Sequence, residues 1–378
     1  MILKKIYKFF NAKLVWKKLD QKYTLIYDEV ASEDLVKYLD QNNCFTLETR
    51  MKKIYVYPFI KSLVKEKFKW TPQKYFHECI NEINPEVIIS LIDNNLNFWR
   101  LKNIFKDKKL VLIQNGMREK VKDVFGLLNQ KHLKKFEIDK VFVFGTSIAK
   151  EYSKYINGEI IPIGSFHNNT FDNTNYVDDE ILYISQWDKF SEQAYPEGIE
   201  FFKKFSMSEL FLFKLVSNFA IQKKMRLKVL ARTFFKEEEK FFKDINKDIN
   251  FLKRDLKSRN NSYQKVLESK FIISCDSTLG YEALARGKRV GMICCRGKFL
   301  NLDAYKFGWP TKFEDRGPFW TNLNDKEHIY KIFNYLTNVS DKEWIETSSK
   351  IIKQIMLFNY GNTIIKNNLE KIGVKFIS

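Results

Sequence analysis

In the first half of the sequence, three apolar runs are followed directly by polar side chains that could perform acid–base chemistry. Asp28 follows TLIY, Asp93 follows EVIISLI, and Gln114 follows KLVLI. A carboxylate in such a place can deprotonate a substrate hydroxyl or attack as a nucleophile. Ordinary loops also favour Asp, Asn and Gly, so no single segment indicates a site. A site is favoured because all three segments follow predicted strands and would lie at the same edge of one sheet. The candidates are the catalytic carboxylates Asp93 and Asp28 and the binding residues Asn94, Asn95, Gln114, Asn115 and Arg118.

The second half contains one segment, SCDSTLGYEALARGKRV at 274–290, with the composition of a phosphate site. A strand is predicted to end at Cys275, small hydroxyl residues turn the chain, and a helix begins at Leu279. The free N–H groups of a helix start bind phosphate, and Glu282 in the first turn could accept from a ribose hydroxyl. Gly280 would allow the backbone to approach a ligand closely. A well-capped structural helix would explain the same pattern.

The elements that would position these residues alternate along the chain. Strands are predicted at 24–27, 86–92, 109–113, 140–144 and 160–163, and again at 181–185, 227–231, 271–275 and 290–294. Single helices between strands indicate parallel sheets covered on both faces. Ligands of such sheets bind outside the carboxyl ends of the strands, where the candidate residues lie.

A polar segment at 167–180, HNNTFDNTNYVDDE, separates the two alternating halves and is predicted to be a linker. The sequence therefore predicts an α/β protein with two Rossmann-like, doubly wound parallel-sheet domains that face a cleft. The first domain is expected at 1–170 and the second at 178–340. Helices at 341–378 are expected to pack back across both domains.

The 378 residues carry a formal net charge of +19 and five cysteines without a CxxC pair. Such a charge favours an anionic partner, but neither zinc-finger spacing nor an RNA-binding aromatic motif is present, so we do not expect nucleic acid. No apolar run is long enough to span a membrane. Seven lysines lie among apolar residues in the first 22 positions, which fits either a helix on an anionic membrane or an ordinary solvated helix.

The run STLGYEALARGKRV resembles the donor-nucleotide motif of GT-B glycosyltransferases and is most similar to that of bacterial capsule-synthesis proteins. Other segments resemble a family of surface carbohydrate biosynthesis proteins, and the resemblance extends to about residue 300. These segments are YDEVASEDL (27–35), SLIDNNLNFWRLK (90–102), LIQNGMR (112–118), VFVFG (141–145), IGSFHNN (163–169) and ISQW (184–187).

The resemblance implies a cytoplasmic GT-B glycosyltransferase, either free in the cytoplasm or peripheral at the inner face of the membrane, that uses a nucleotide-activated donor. An acidic CMP-activated sugar such as Kdo is one donor that it implies, and a growing surface polysaccharide or lipid-linked glycan is the acceptor. The first domain would hold the acceptor. The nucleotide sugar would be bound by Ser185, Gln186, Arg232, Ser277, Thr278, Gly280, Tyr281 and Glu282.

Motifs that are missing narrow the expected chemistry. There is no DxD sequence, so a metal-independent reaction without a cofactor is expected, with a helix start and Arg232 or Arg254 stabilising the leaving phosphate. The glycine-rich loop that some GT-B enzymes have after their first strand is replaced by Asp28-Glu29-Val30. His167 lies at the predicted domain junction and could line the cleft, but a solvated linker residue is the favoured interpretation, so a carboxylate is the expected base.

Two other functions fit the same sequence. A non-hydrolysing sugar-nucleotide 2-epimerase would share the architecture and would isomerise a nucleotide sugar without an acceptor. A non-catalytic basic protein that binds nucleic acid or lipid would show salt-dependent binding and no response to nucleotides.

Overall fold

The computed structural model describes residues 12–118, 123–129, 134–172, 177–255 and 260–377. The strands of the first half are β1 (Lys13–Val15), β2 (Thr24–Tyr27), β3 (Cys44–Leu47), β4 (Lys53–Tyr55), β5 (Val87–Ser90), β6 (Lys109–Ile113), β7 (Phe136–Val143) and β8 (Ile156–Pro162). The helices between them are α1 (Glu33–Tyr38), α2 (Val56–Glu66), α3 (Pro72–Ile83), α4 (Leu96–Trp99), α5 (Val124–Asn129) and α6 (Thr146–Tyr152).

Six of these strands form one parallel sheet in the order β3-β2-β5-β6-β7-β8. β1 and β4 pair separately as a small parallel sheet. Every residue of β2 and of β5 is buried, because helices cover both faces of the sheet. This burial explains why their sequences are continuous apolar runs and do not alternate.

The second half builds a second parallel sheet in the order β11-β10-β9-β12-β13-β14. Its strands are β9 (Val177–Ile184), β10 (Arg226–Leu230), β11 (Asn250–Leu252), β12 (Ser269–Ser274), β13 (Arg289–Ile293) and β14 (Trp320–Thr321). Its helices are α7 (Ile199–Lys223), α8 (Lys236–Ile245), α9 (Asn260–Glu268), α10 (Thr278–Ala285), α11 (Arg296–Leu300) and α12 (Lys326–Asn338). The predicted pair of doubly wound parallel-sheet domains is confirmed.

The strand order places one ligand position in each sheet. In the first sheet the order reverses between β2 and β5, and in the second it reverses between β9 and β12. The helices that follow the two strands at such a reversal lie on opposite faces, so a crevice opens at their carboxyl ends. The fold therefore defines two crevices before any side chain is considered.

The last two helices, α13 (Asp341–Ile355) and α14 (Thr363–Glu370), join the domains. α13 contacts α10 of the second domain and α6 of the first. The chain then passes so close to Gly164 (φ +81°) that a Cβ there would lie 2.1 Å from the Leu357 carbonyl oxygen. α14 packs into the apolar cluster of the first domain through Ile365 and Leu369.

Three expectations for local structure are corrected. Residues 1–11 lie outside the described residues, and the basic segment continues as the strand β1, not as a helix. The sequence pattern at 97–105 predicts one helix, but these residues form the end of the single turn α4 and a 3-10 turn at Leu101–Asn103. In the supposed solvated linker, Asn168 and Asn169 are buried because their side chains bind the Glu282 and Ile163 carbonyl oxygens. No described helix combines the length and the apolar character needed to cross a bilayer.

Candidate functional site

The crevice of the second sheet contains a cavity of about 280 Å³. It lies at the carboxyl ends of β9, β10 and β12 and is closed by the first residues of α10 and by Asn115 from the first domain. Its polar lining consists of Asn115, Ser185, Gln186, Arg232, Arg254, Ser262, Tyr263, Ser277, Thr278 and Glu282. The cavity therefore brings together six of the eight residues predicted to bind a nucleotide sugar.

The start of α10 forms one wall of this cavity. Ser277 is the N-cap residue, and its Oγ accepts from the Leu279 N–H at 3.3 Å. The hydroxyl oxygen of Thr278 accepts from the Met117 N–H of the first domain at 3.1 Å. The positive end of the helix dipole lies at this wall, where an anion is stabilised by about 0.3–1 kcal/mol.

Two guanidinium groups lie beside the helix start. Arg232 Nη1 donates to the Gln186 carbonyl oxygen at 3.1 Å, and Arg254 Nη1 donates to the Arg232 carbonyl oxygen at 2.7 Å. Both arginines line the cavity. The site thus offers two cations and a helix start to a ligand, which is the arrangement that phosphate oxygens prefer.

A fully buried carboxylate, Glu238 of α8, shapes this wall and was missed by sequence reasoning. Its Oε1 accepts from the Ser185 hydroxyl at 2.6 Å and from the Arg232 N–H at 2.8 Å. Oε2 accepts from the Thr233 N–H. Glu238 therefore ties the loop after β9 to the loop after β10. No sequence signal marks it, since Glu238 stands in an ordinary acidic helix start, KEEE.

Glu282 connects the two domains across the cavity. Its Oε1 accepts from the Ser165 hydroxyl of the first domain at 2.5 Å, and its Oε2 accepts from the Tyr263 hydroxyl at 2.7 Å. Burial raises the pKa of Glu282, although these two donors act in the opposite direction. A carboxylate with two oxygens has further acceptor capacity, so a ligand hydroxyl could share it.

A second, smaller cavity of about 100 Å³ lies at the crevice of the first sheet. It shares Asn115, Tyr263 and Glu282 with the first cavity. Its other polar side chains are Glu33, Asp34, Gln114, Ser165 and His167. The two crevices therefore face each other as one continuous cleft between the domains.

An aspartate–histidine pair lies in this smaller cavity. His167 Nδ1 contacts Asp34 Oδ2 within hydrogen-bond reach, and His167 Nε2 has no hydrogen-bond partner among the described residues. Burial opposes ionisation of Asp34, but the hydrogen bond and charge of His167 hold its pKa below the ordinary value. The ring of Tyr263 packs edge-on against His167 at 4.5 Å between centroids. His167 is thus a fixed cleft residue and not a solvated linker residue.

Asp93 occupies a different place from the one predicted for a catalytic group. Its side chain is fully buried, with Oδ1 accepting from the Asn115 N–H at 3.1 Å and Oδ2 lying 3.2 Å from Arg118 Nε. Oδ2 also accepts from the Tyr152 hydroxyl. Burial raises the pKa of Asp93 although Arg118 lowers it. Asp93 lines neither of the two cavities, and its effect is to hold the loop that presents Asn115.

Comparison with known proteins shows the family to which this chain belongs. A family model for proteins of O-antigen biosynthesis matches residues 111–373. The chain belongs to this family. None of the curated proteins matches the sequence. The expected relationship to surface carbohydrate biosynthesis proteins is thereby confirmed.

Several solved structures resemble this chain in fold. UDP-GlcNAc 2-epimerase from Neisseria meningitidis bound to UDP-GlcNAc has 12% identity and a TM-score of 0.52, covering 92% of this chain and 99% of the other. MnaA from S. aureus with UDP has 11% identity and a TM-score of 0.53, covering 93% and 96%. Sucrose-phosphate synthase from Thermosynechococcus elongatus has 10% identity and a TM-score of 0.50, covering 95% and 98%. These similarities confirm the GT-B fold.

Two of the residues predicted to bind the nucleotide sugar, Tyr281 and Gly280, do not line the cavity. Tyr281 is buried in the second domain, where its hydroxyl oxygen accepts from the Gly308 N–H at 3.0 Å and its ring stacks on Phe307. A Cβ on Gly280 would lie 2.7 Å from the Cβ and Oγ of Ser274. Gly280 is therefore needed for packing of α10 on β12, and not for approach of a ligand.

The predicted acceptor residues divide into two groups. Gln114 and Asn115 line the cleft, whereas Arg118 turns inward and binds Asp93, Asp123 and the Gly116 carbonyl oxygen. Neither asparagine after Asp93 lines a cavity: Asn94 binds Asp123, and Asn95 caps α4 through the Asn97 N–H. Both asparagines therefore stabilise loops.

Asp28 lies at the end of β2, as predicted, with a left-handed backbone conformation (φ 83°). Its Oδ1 accepts from the Val30 N–H at 3.0 Å and lies 3.6 Å from Arg50 Nε. The side chain is buried and lines none of the described cavities. Its catalytic role stays a prediction.

Proposed function

We propose that this protein is a glycosyltransferase that transfers a sugar from a nucleotide-activated donor to a surface polysaccharide or lipid-linked acceptor. The observation that carries the proposal is the cavity in the crevice of the second sheet, where the start of α10 lies beside Arg232 and Arg254. A sugar nucleotide carries a phosphate or diphosphate between its nucleoside and a neutral or acidic sugar. The helix start and both guanidinium groups would receive that phosphate.

The leaving phosphate would be stabilised by the same groups. Negative charge on it grows in the transition state, and preorganised donors at that point lower the barrier. Glu282 would accept from a ribose hydroxyl, since its carboxylate lies at the edge of both cavities. The sugar would then extend toward the smaller cavity of the first domain.

The acceptor would be activated by His167, which replaces Asp93 as our candidate base. When Nδ1–H donates to Asp34, Nε2 carries the lone pair. That nitrogen is buried and has no hydrogen-bond partner among the described residues, so it would accept a proton from an acceptor hydroxyl that enters the smaller cavity. Asp34 would be a positioning residue that fixes this tautomer. Asp28 stays the alternative carboxylate.

Nucleotide binding tests the donor site directly. In a thermal-shift assay with CMP, CDP, UDP and GDP, one of the four nucleotides should raise the melting temperature. Stabilisation by CMP would support an acidic CMP-activated donor of the Kdo type. Arg232→Gln should raise the Kd of that nucleotide about tenfold to a hundredfold, since the substitution removes a charged hydrogen bond. Arg226→Gln is the matched control. Arg226 begins β10, the strand that Arg232 follows, and so lies at the opposite edge of the sheet. Equal weakening by both variants would refute the assignment.

The proposed base has its own test. His167→Gln should lower kcat by about 10²–10⁴-fold while leaving the Kd of the nucleotide unchanged. His77→Gln, on helix α3 of the same domain, is the control. Turnover that survives His167→Gln would return the role to Asp28.

A sugar-nucleotide 2-epimerase is the second candidate, because epimerases are among the similar structures. The two functions differ in one experiment. Incubation with UDP-GlcNAc and no acceptor would produce the 2-epimer, visible by NMR, only if the protein is an epimerase. Transfer to an added acceptor glycan would instead support the transferase.

A further inference from the structure

Exposed apolar side chains concentrate on one small region of the first domain. One third of the 18 large apolar side chains that are exposed in the described residues belong to two adjacent elements, β1 with its following residue and α2. We call this region the α2 face. Its members are Leu14, Trp16, Tyr57, Ile60, Leu63 and Val64.

The local structure explains why these side chains share a surface. Tyr57, Ile60 and Val64 follow the i, i+3, i+7 spacing of one helix face, and Val64 is 71% exposed. The opposite side of α2 is buried through Pro58 and Ser62, and Val56 at the start of the helix is buried as well. The pairing of Val15 with Tyr55 brings Trp16, which is 65% exposed, beside the start of α2.

Lysines surround the α2 face. Residues 12–19 and 52–70 contain nine lysines and a single acidic residue, Glu66, which is paired with Lys74 at 3.3 Å. Lys61 and Lys65 both reach the buried Glu78, and their side chains remain more than 60% exposed along one edge of the helix. Lysine stems can lie along an apolar surface while their ammonium groups reach outward.

We propose that the α2 face docks on an anionic phospholipid surface. An apolar stripe with lysines on either side matches the two layers of such a surface, because acyl chains receive the apolar side chains and lipid phosphates receive the ammonium groups. A protein partner with an acidic rim would need a groove or ridge of its own shape. The nine lysines still outnumber the four carboxylates near them, Asp20, Glu29, Glu66 and Glu78, and this excess instead favours a flat anionic sheet.

Docking at this face would place the cleft near the membrane. β4 leads directly into α2, and the loop before β4 contacts the end of β2: Arg50 lies near Asp28, and Lys52 pairs with Glu29 at 2.7 Å. The α2 face therefore begins beside the carboxyl edge of the first sheet. Under the proposed function, a lipid-linked acceptor could enter the smaller cavity without leaving the bilayer surface.

The test is flotation of the full-length protein with vesicles of phosphatidylcholine alone or with one third phosphatidylglycerol, without any nucleotide. The wild-type protein should float with the anionic vesicles only. Ile60→Glu with Val64→Glu should weaken that binding by about tenfold or more, because two inserted side chains and two units of charge are lost. Its melting temperature should not change, because both side chains are exposed.

The matched control is Ile221→Glu with Ile345→Glu, which makes the same change of charge at two exposed helical positions elsewhere. It should float like the wild type. Equal loss in both variants would mean that net charge alone attracts the protein, and equal flotation of all three proteins would also overturn the proposal. If light scattering showed a dimeric wild type and a monomeric Ile60→Glu, Val64→Glu variant that still binds vesicles, that result would assign the α2 face to contact with a second copy of the chain. Because no nucleotide is present, failure here leaves the proposed glycosyl transfer untouched.

Discussion

At the scale of single residues, Asp93 shows how a polar residue at a strand end can serve structure. Its carboxylate accepts from Asn115 and Tyr152 and pairs with Arg118. Asp93→Asn should lower stability by about 3 kcal/mol, because a buried cation loses one of its partners. The melting temperature should fall by roughly 6–12 °C, and calorimetry would measure it.

Asp248→Asn is the control for that variant, since Asp248 is exposed and should change stability by less than about 0.5 kcal/mol. An Asp93→Asn protein with the wild-type melting temperature but with turnover abolished would contradict the structural role. It would restore Asp93 as a catalytic candidate.

The residues of the site show where sequence reasoning ends. Arg232 was identified because it follows a recognisable strand and Glu282 because it stands in the α10 motif, whereas Ser185 and Gln186 came from the family resemblance of ISQW. All four line the cleft. The pairing of His167 with Asp34 joins residues 133 positions apart. No local pattern encodes that contact, since it depends on how the loop after β8 meets α1.

At the scale of elements, regular segments with strong end signals were predicted well. The sequence at 72–83 predicts a helix with a proline near its start, and α3 has these bounds: Thr71 caps it and Pro72 is its first residue. β3 and β4 were missed, since strands of three or four residues with mixed exposure have no clear apolar period. β1 was mistaken for a helix for the same reason.

The contact of α10 with β12 leads to a prediction for Gly280. Gly280→Ala should destabilise the protein by about 1–3 kcal/mol through overpacking against Ser274, offset by up to about 1 kcal/mol of helix propensity. Urea denaturation would show a lower midpoint. Ser274→Gly in the same chain should recover part of the loss, and a double-mutant cycle with zero coupling would disprove the contact.

At the scale of the whole molecule, the last helix, α14, belongs to the apolar core of the first domain, far back along the chain. Leu369 is fully buried there. Leu369→Ala should cost about 2–5 kcal/mol, whereas Ile377→Ala, at an exposed position, should cost less than about 0.5 kcal/mol. If chemical denaturation gave the same midpoint for both variants, α14 would not stabilise the first domain.

All five cysteines are free and buried, and the domain boundary divides them. Cys44 and Cys79 lie in the first domain, and Cys275, Cys294 and Cys295 lie in the second. Burial raises the pKa of the Cys44 thiol to about 12 and that of Cys294 well above its ordinary value, so reactive thiolate is scarce in the folded state. Alkylation would therefore proceed only as each domain opens. Mass spectrometry of the labelled peptides would then time the opening of each half of the molecule separately, without any engineered probe.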